Sequence, residues 1–118
     1  MESILTSIKN LLGITEEDSH FDMSLIMHIN SVFSILTQMG VGPSEGFFIE
    51  DDSSTWDEFI NDASILNSVK SYVFLKVKLM FDTSTTPSGV ISATERQISE
   101  LEWRLHVASE SMTDLSKE

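Results

Sequence analysis

Few side chains in this chain have the types and spacing that chemistry needs. Gly42-Pro43-Ser44-Glu45-Gly46 satisfies the G-x-S-x-G pattern of a serine nucleophile. That pattern activates serine only where a strand enters the turn and a helix leaves it, on a large α/β sheet. Here Gly40 marks a helix stop just upstream, Pro43 and Gly46 mark a loop, and 118 residues are too few for such a sheet. The imidazoles are His20, His28 and His106, and none stands at i, i+4 from another, the spacing that lets one helix face grip a metal. His28, between Leu25 and Val32, reads as a residue at the edge of a core. Glu50-Asp51-Asp52, with Asp57 and Glu58, is rich in carboxylate but lacks the ligand order and the glycine of a calcium loop. Helix capping and solvation account for it. No phosphate-cradling loop or dinucleotide fingerprint is present. Nothing brings a nucleophile, a base and an orienting group together. The expectation is a protein that is not an enzyme, with no catalytic residue, cofactor or metal.

The elements that would position these residues read as helices. Ile4, Leu5, Ile8, Leu11 and Leu12 predict a first helix over about Glu2–Leu12, stopped by Gly13. It lacks the basic polar face of a membrane-surface anchor, so its apolar side is assigned to the core. Thr15-Glu16-Glu17-Asp18 signals the start of a second helix running to about Met39, with Phe21, Leu25, Ile29, Val32 and Leu36 as its stripe and Ile26 and Phe33 widening it. Residues 40–46 are turn-rich, and Phe47-Phe48-Ile49 suggests a short strand. Ser54 or Thr55 caps a short helix that folds Trp56, Phe59 and Ile60 onto the body. A fourth helix, about Ala63–Phe81, is apolar nearly all round and therefore central, with Leu66, Val69, Val73, Val77 and Met80 as its main stripe. Thr83–Gly89 is a Ser/Thr/Pro break, and Ser92 with Glu95 forms a capping box for the last helix. The fold class is all-α, about five helices, with at most a short β-hairpin or strand near residues 41–52. Residues 1–112 make a single helical domain and 113–118 a polar tail.

Charge is uneven. Residues 1–62 hold twelve acids and one base, Lys9, a net of −11; residues 63–118 hold seven acids and six bases, a net of −1. Such a surface repels phosphate backbones, so a nucleic-acid grip is disfavoured. Simple solubility, a wall along which DNA passes without sticking, and contact with a basic partner all fit it. Lys70, Lys76 and Lys78 read as solubilising edges of the apolar fourth helix. The chain has no cysteine, so disulfides and thiolate metal sites are excluded. No apolar run reaches membrane-spanning length, and residues 1–5 lack the basic start of a signal peptide. The expectation is a protein that stays in the cytosol where it is made.

The last helix carries two faces. Ile91, Ile98, Leu101, Leu105 and Met112 line one, with Thr94 and Ala108 in step. At about 100° per residue, Trp103 falls nearly opposite, with Val107, Arg96 and Glu100 on its side. Trp and Arg are enriched at binding hot spots. Two readings of Trp103 stand: a partner surface, or an aromatic covered by another segment of the same chain.

Three stretches carry a family likeness: Ile29-Asn30-Ser31-Val32-Phe33 continuing through Leu36-Thr37-Gln38-Met39-Gly40-Val41-Gly42; Val69-Lys70-Ser71-Tyr72-Val73-Phe74-Leu75-Lys76-Val77-Lys78-Leu79-Met80-Phe81-Asp82; and Ile98-Ser99-Glu100-Leu101-Glu102-Trp103-Arg104-Leu105. Together with Trp56-Asp57, their order and spacing resemble the head–tail connector (adaptor, or head-completion) proteins of long-tailed bacteriophages, over about Leu5–Val107. One departure stands out. Relatives follow the Phe-Asp of the second block with prolines, whereas here Thr83-Ser84-Thr85-Thr86 intervenes before Pro87.

The resemblance implies a structural virion protein, made in the bacterial host cytoplasm and placed at the head–tail interface. Its implied partners are the portal protein, a tail or stopper (head-closure) protein, and its own copies in a ring of the portal's symmetry. DNA would pass through without sequence-specific binding, and no membrane is involved. Partner contact is assigned to Trp103, Arg104, Arg96 and Val107 on the last helix, and Phe47-Phe48-Ile49 is a second candidate, with Phe47 and Phe48 pairing with a neighbouring subunit through an exposed strand edge. The competing reading is an acidic module that sequesters a basic protein.

Overall fold

The structure, a computed structural model, describes residues 2–81 and 88–117, with side chains described up to Glu110. It is all-α, with five helices and no strand among the described residues. The body is flat, 47 × 35 × 20 Å.

The first helix, α1, spans Ile4–Leu12. The Ser3 hydroxyl accepts the Thr6 N–H at its start, and Gly13, at φ 81°, ends it in the left-handed region. Ile4, Leu5 and Ile8 are buried as their spacing requires, while Leu11 stays exposed. Helix α2 spans Asp22–Gln38, starting later than Thr15–Asp18 suggested. Those residues form a turn instead: Asp18 N–H bonds the Thr15 carbonyl, and the Asp18 carboxylate accepts the His20 N–H. The capping groups are consumed locally and the helix begins beyond them. Leu25, Ile29, Val32, Phe33 and Leu36 then form the buried stripe, and Phe21 closes edge-to-face on Phe81, ring centroids 5.2 Å apart.

Helix α3, Trp56–Phe59, is one turn tucked against α1. An isolated antiparallel bridge joins Ser3 to Thr55, with Ile4 N–H on the Ser54 carbonyl at 3.0 Å. Trp56 is buried, and its indole N–H is satisfied by the Ser7 hydroxyl at 2.8 Å. Helix α4, Ala63–Phe81, has the predicted bounds and packs against both α2 and α5. Val69, Tyr72, Val73 and Val77 are fully buried, and Met80, placed in the stripe by spacing alone, is at the surface.

Helix α5 spans Ser88–Lys117, about 45 Å at the usual rise. Ser92 and Glu95 therefore lie inside it, and the capping box expected there does not form. The extra turn is used: Ile91 and Glu95 share a cleft with Lys76, Leu79 and Met80 of α4. Ile98 and Leu105 are buried against the core. Most of the Ser/Thr/Pro break, residues 82–87, and the side chain of Met112 lie outside the described residues.

The strand expected at Phe47–Ile49 does not form. The segment is extended, but its neighbour is a side chain. The Asn30 carboxamide accepts the Ile49 N–H at 2.7 Å and donates to the Ile49 carbonyl at 3.0 Å. One amide so occupies both groups that a second strand would have used. Upstream, Gly42 takes φ 87° with the Phe59 ring pressed against its α-carbon; a β-carbon there would lie 2.5 Å from that ring.

Candidate interaction surface

Helix α5 owes its orientation to side chains that also join it to the rest of the body. Tyr72, fully buried on α4, donates its phenol hydrogen to Glu102 Oε2 at 2.8 Å. Burial, the hydrogen bond and the Glu102 charge all push the phenol well above its ordinary range. Further along, the buried Ser109 hydroxyl donates to the Gly40 carbonyl at 3.3 Å. Gly40, at φ 84°, leaves no room for a β-carbon beside that hydroxyl. With Ile98 and Leu105, these contacts fix which side of α5 faces inward.

The outward side then follows from the helical period. Trp103 is 66% exposed and Val107 40%. Arg96 is also exposed, and the Arg104 guanidinium bonds Glu100 one turn back at 2.6 Å. His106 pairs in the same way with Glu110 at 3.1 Å. These are exposed i, i+4 pairs, individually worth little. Beside Arg104, an open groove of about 370 Å³ runs between α4 and α5, with Phe74, Leu75 and Leu101 as its apolar lining. Lys78 stands 5.8 Å from the centre of the Phe74 ring. The surface is thus an exposed aromatic among both guanidinium and carboxylate groups, next to an apolar trough whose polar lining includes Glu100 as well as Arg104.

Phe47 and Phe48 belong to a different surface, beside α2. Phe47 is half-buried in an aromatic cluster with Phe33 and Phe59, at centroid separations of 5.2 and 5.3 Å. Phe48, its neighbour, points outward and is 67% exposed. Together they line an open groove of about 400 Å³ with Asn30, Thr37 and Glu45. With Ile49 bonded to Asn30, this segment offers an aromatic side chain rather than a free strand edge.

Sequence reasoning passed over another exposed apolar patch. Met23 and Met27, one turn apart on α2, lie off its buried stripe and point outward. The signal was their i, i+4 spacing on the polar side of the helix.

The groups with catalytic or metal-binding chemistry stay dispersed. Ser44 follows the end of α2 in an irregular loop and bonds the neighbouring Glu45 carboxylate. Among the described residues, no three His, Asp or Glu side chains gather where they could hold a metal, and no helix is long and apolar enough to cross a membrane. Asp51 and Asp62 each accept the hydroxyl and backbone N–H of the serine two residues on, which holds both below the ordinary carboxylate value.

The body is all-helical, and its notable surfaces are open grooves and exposed aromatics. The chain belongs to the phage connector protein family, whose model matches residues 4–112. No curated protein and no solved structure matches it. Membership gives it a structural role in the phage particle, in contact with head and tail components.

Proposed function

We propose that the protein is a head–tail connector subunit that closes into a ring on the portal of a DNA-filled head and receives the tail or a stopper protein. The reading rests on the family match over nearly the whole chain. The observation that carries it is the outward face of α5, where Trp103 is left 66% exposed on a helix otherwise tightly keyed to the body. A flat body, 47 × 35 × 20 Å, suits side-by-side packing around an axis. Each contact is weak, and ring closure multiplies them. The acidic surface of residues 1–62 would contribute either to a channel that DNA passes without adhering, since like charge repels the phosphate backbone, or to the outer rim. Phe48 is a second contact point, for the portal or for the tail-side protein.

Particle morphology tests the role directly. Phage lacking this protein should accumulate DNA-filled heads without tails; normal virions from such a deletion would refute it. Trp103→Ala tests the face. The variant should keep its helical circular dichroism and lose portal or ring binding by tenfold or more, about 1.4 kcal/mol or above. A salt-sensitive binary complex with a basic protein, with no ring by electron microscopy, would instead identify an acidic sequestering module.

A further inference from the structure

Lys9 is the sole lysine or arginine among residues 1–62, and it is 3% exposed. Its ammonium pairs with Asp22 at 2.8 Å and donates to the Glu16 carbonyl at 3.0 Å. This half of the chain therefore puts carboxylates on the surface with no lysine or arginine to answer them. On α2, Met23 and Met27 are 78% and 67% exposed and, with Ile26, line an open groove of about 530 Å³. Glu50, Asp51 and Asp52 line the same groove. All three are exposed, and among the described residues no Lys, Arg or His pairs with any of them.

An occupant has to meet the apolar floor and the unanswered negative charge together. The carboxylates repel nucleic acid and anionic headgroups. A second copy of this chain is a poor match. Its exposed Trp103 stands on a helix side with Glu95, Glu100 and Glu110 as well as Arg96 and Arg104, and Arg104 is already bonded to Glu100. Its Met80 shares a cleft with Glu95 as well as Lys76, and its Lys70 is bonded to Glu2. Phe48 stands two residues from Glu50 itself. The complement of the groove is an apolar surface bordered by cations, which another protein must supply.

We propose that this groove docks a cationic amphipathic helix of a different protein of the particle. The apolar side of that helix lies on Met23 and Met27, one turn apart on α2, in the manner of a helix laid into a groove. Methionine suits the task, because its unbranched thioether adapts to the shape it meets. The partner's Lys and Arg side chains face Glu50, Asp51 and Asp52, which gives the contact its selectivity and its sensitivity to salt. This docking goes beyond the ring reading, which rests on α5 and Phe48, and either can fail without the other.

The purified protein is titrated with a synthetic helical peptide of about 18 residues, leucine on one side and lysine on the other, and followed through its methionine methyl NMR signals. The Met23 and Met27 signals should shift. Calorimetry should show binding at least tenfold weaker when glutamate replaces the lysines or serine replaces the leucines. Glu50→Lys with Asp52→Lys should weaken it tenfold or more, as should Met23→Ser with Met27→Ser. These four positions are exposed, Asp51 keeps its bonds from Ser53, and circular dichroism checks that each variant is folded. Shifts confined to other methionines, or equal binding by the serine peptide, would overturn the docking. In assembled particles, Met27 is replaced by the photo-cross-linker p-benzoylphenylalanine and the cross-linked peptide is sequenced by mass spectrometry. The expected product is a Lys- or Arg-bearing amphipathic segment of another protein. A cross-link to another copy, to a neutral or acidic segment, or none at all from particles that hold the variant, would overturn the docking. Rings by electron microscopy with any of those results leave the ring reading standing, and the expected cross-link with no ring overturns the ring reading alone.

Discussion

Replacing Asn30 with alanine tests how the Phe47–Ile49 segment is held. The variant deletes both hydrogen bonds to Ile49, of 2.7 and 3.0 Å, and leaves a backbone donor and acceptor without them at a residue only 1% exposed. A buried polar group stranded in this way costs about 1–3 kcal/mol. Asn30 itself is half-buried, so water can reach the vacated space, and the low end applies to each group. The expected loss is about 2 kcal/mol in total. For a domain of this size, that lowers Tm by roughly 8 °C. Urea denaturation followed by far-ultraviolet circular dichroism measures it, with an unchanged m-value showing that the same surface unfolds. Ser34→Ala, at an exposed position one turn along α2, serves as the control and should change stability by less than about 0.5 kcal/mol. A loss below that size for Asn30→Ala would refute the reasoning. It would show that the Phe47 ring, packed on Phe33 and Phe59, holds the segment without the amide.

Three further outcomes follow from the packing. Gly42→Ala combines a left-handed backbone at φ 87° with a clash on Phe59, and should cost about 2–4 kcal/mol by thermal melting; Gly46→Ala, at φ 96° in open space, should cost only about 1–2 kcal/mol. Tyr72→Phe removes a hydrogen bond to a carboxylate and should destabilise by about 1.5 kcal/mol. In the wild type, the raised phenol contributes stability that is complete below the ordinary value of 10.0 and is lost as pH rises above it, and Tyr72→Phe should lose that dependence in alkaline unfolding. Asp62 is depressed below 3.8 by the Ser64 hydroxyl and N–H at the start of α4, so its contribution is present above 3.8 and fades as pH falls through the lower folded value; Asp62→Asn should flatten that part of an acid titration followed by circular dichroism.

Much of this protein was legible as sequence because it rests on local rules. A 3.6-residue period fixes which side of a helix is buried once the helix exists, so most of the α2 stripe, Val69, Val73 and Val77 of α4, the bounds of α4, and the position of Trp103 opposite Leu105 followed from spacing, while Phe21 and Met80, at the ends of their stripes, are exposed. Tertiary structure decided what spacing does not encode. Nothing within a few residues of Asn30 says that its amide will meet Ile49, nineteen positions on, and replace a strand. Nothing local says that Tyr72 will donate to Glu102, thirty positions on, or that Lys9 will be enclosed by Asp22 and the Glu16 carbonyl. The starts of α2 and α5 moved because competing hydrogen bonds and packing against α4 outweighed the local capping signals. Local periodicity and turn residues settled how many helices there are, most of their inward faces and the family likeness. Only the tertiary structure decided which polar groups are satisfied in the interior and which apolar side chains are left outside, because both depend on contacts between residues far apart in the chain.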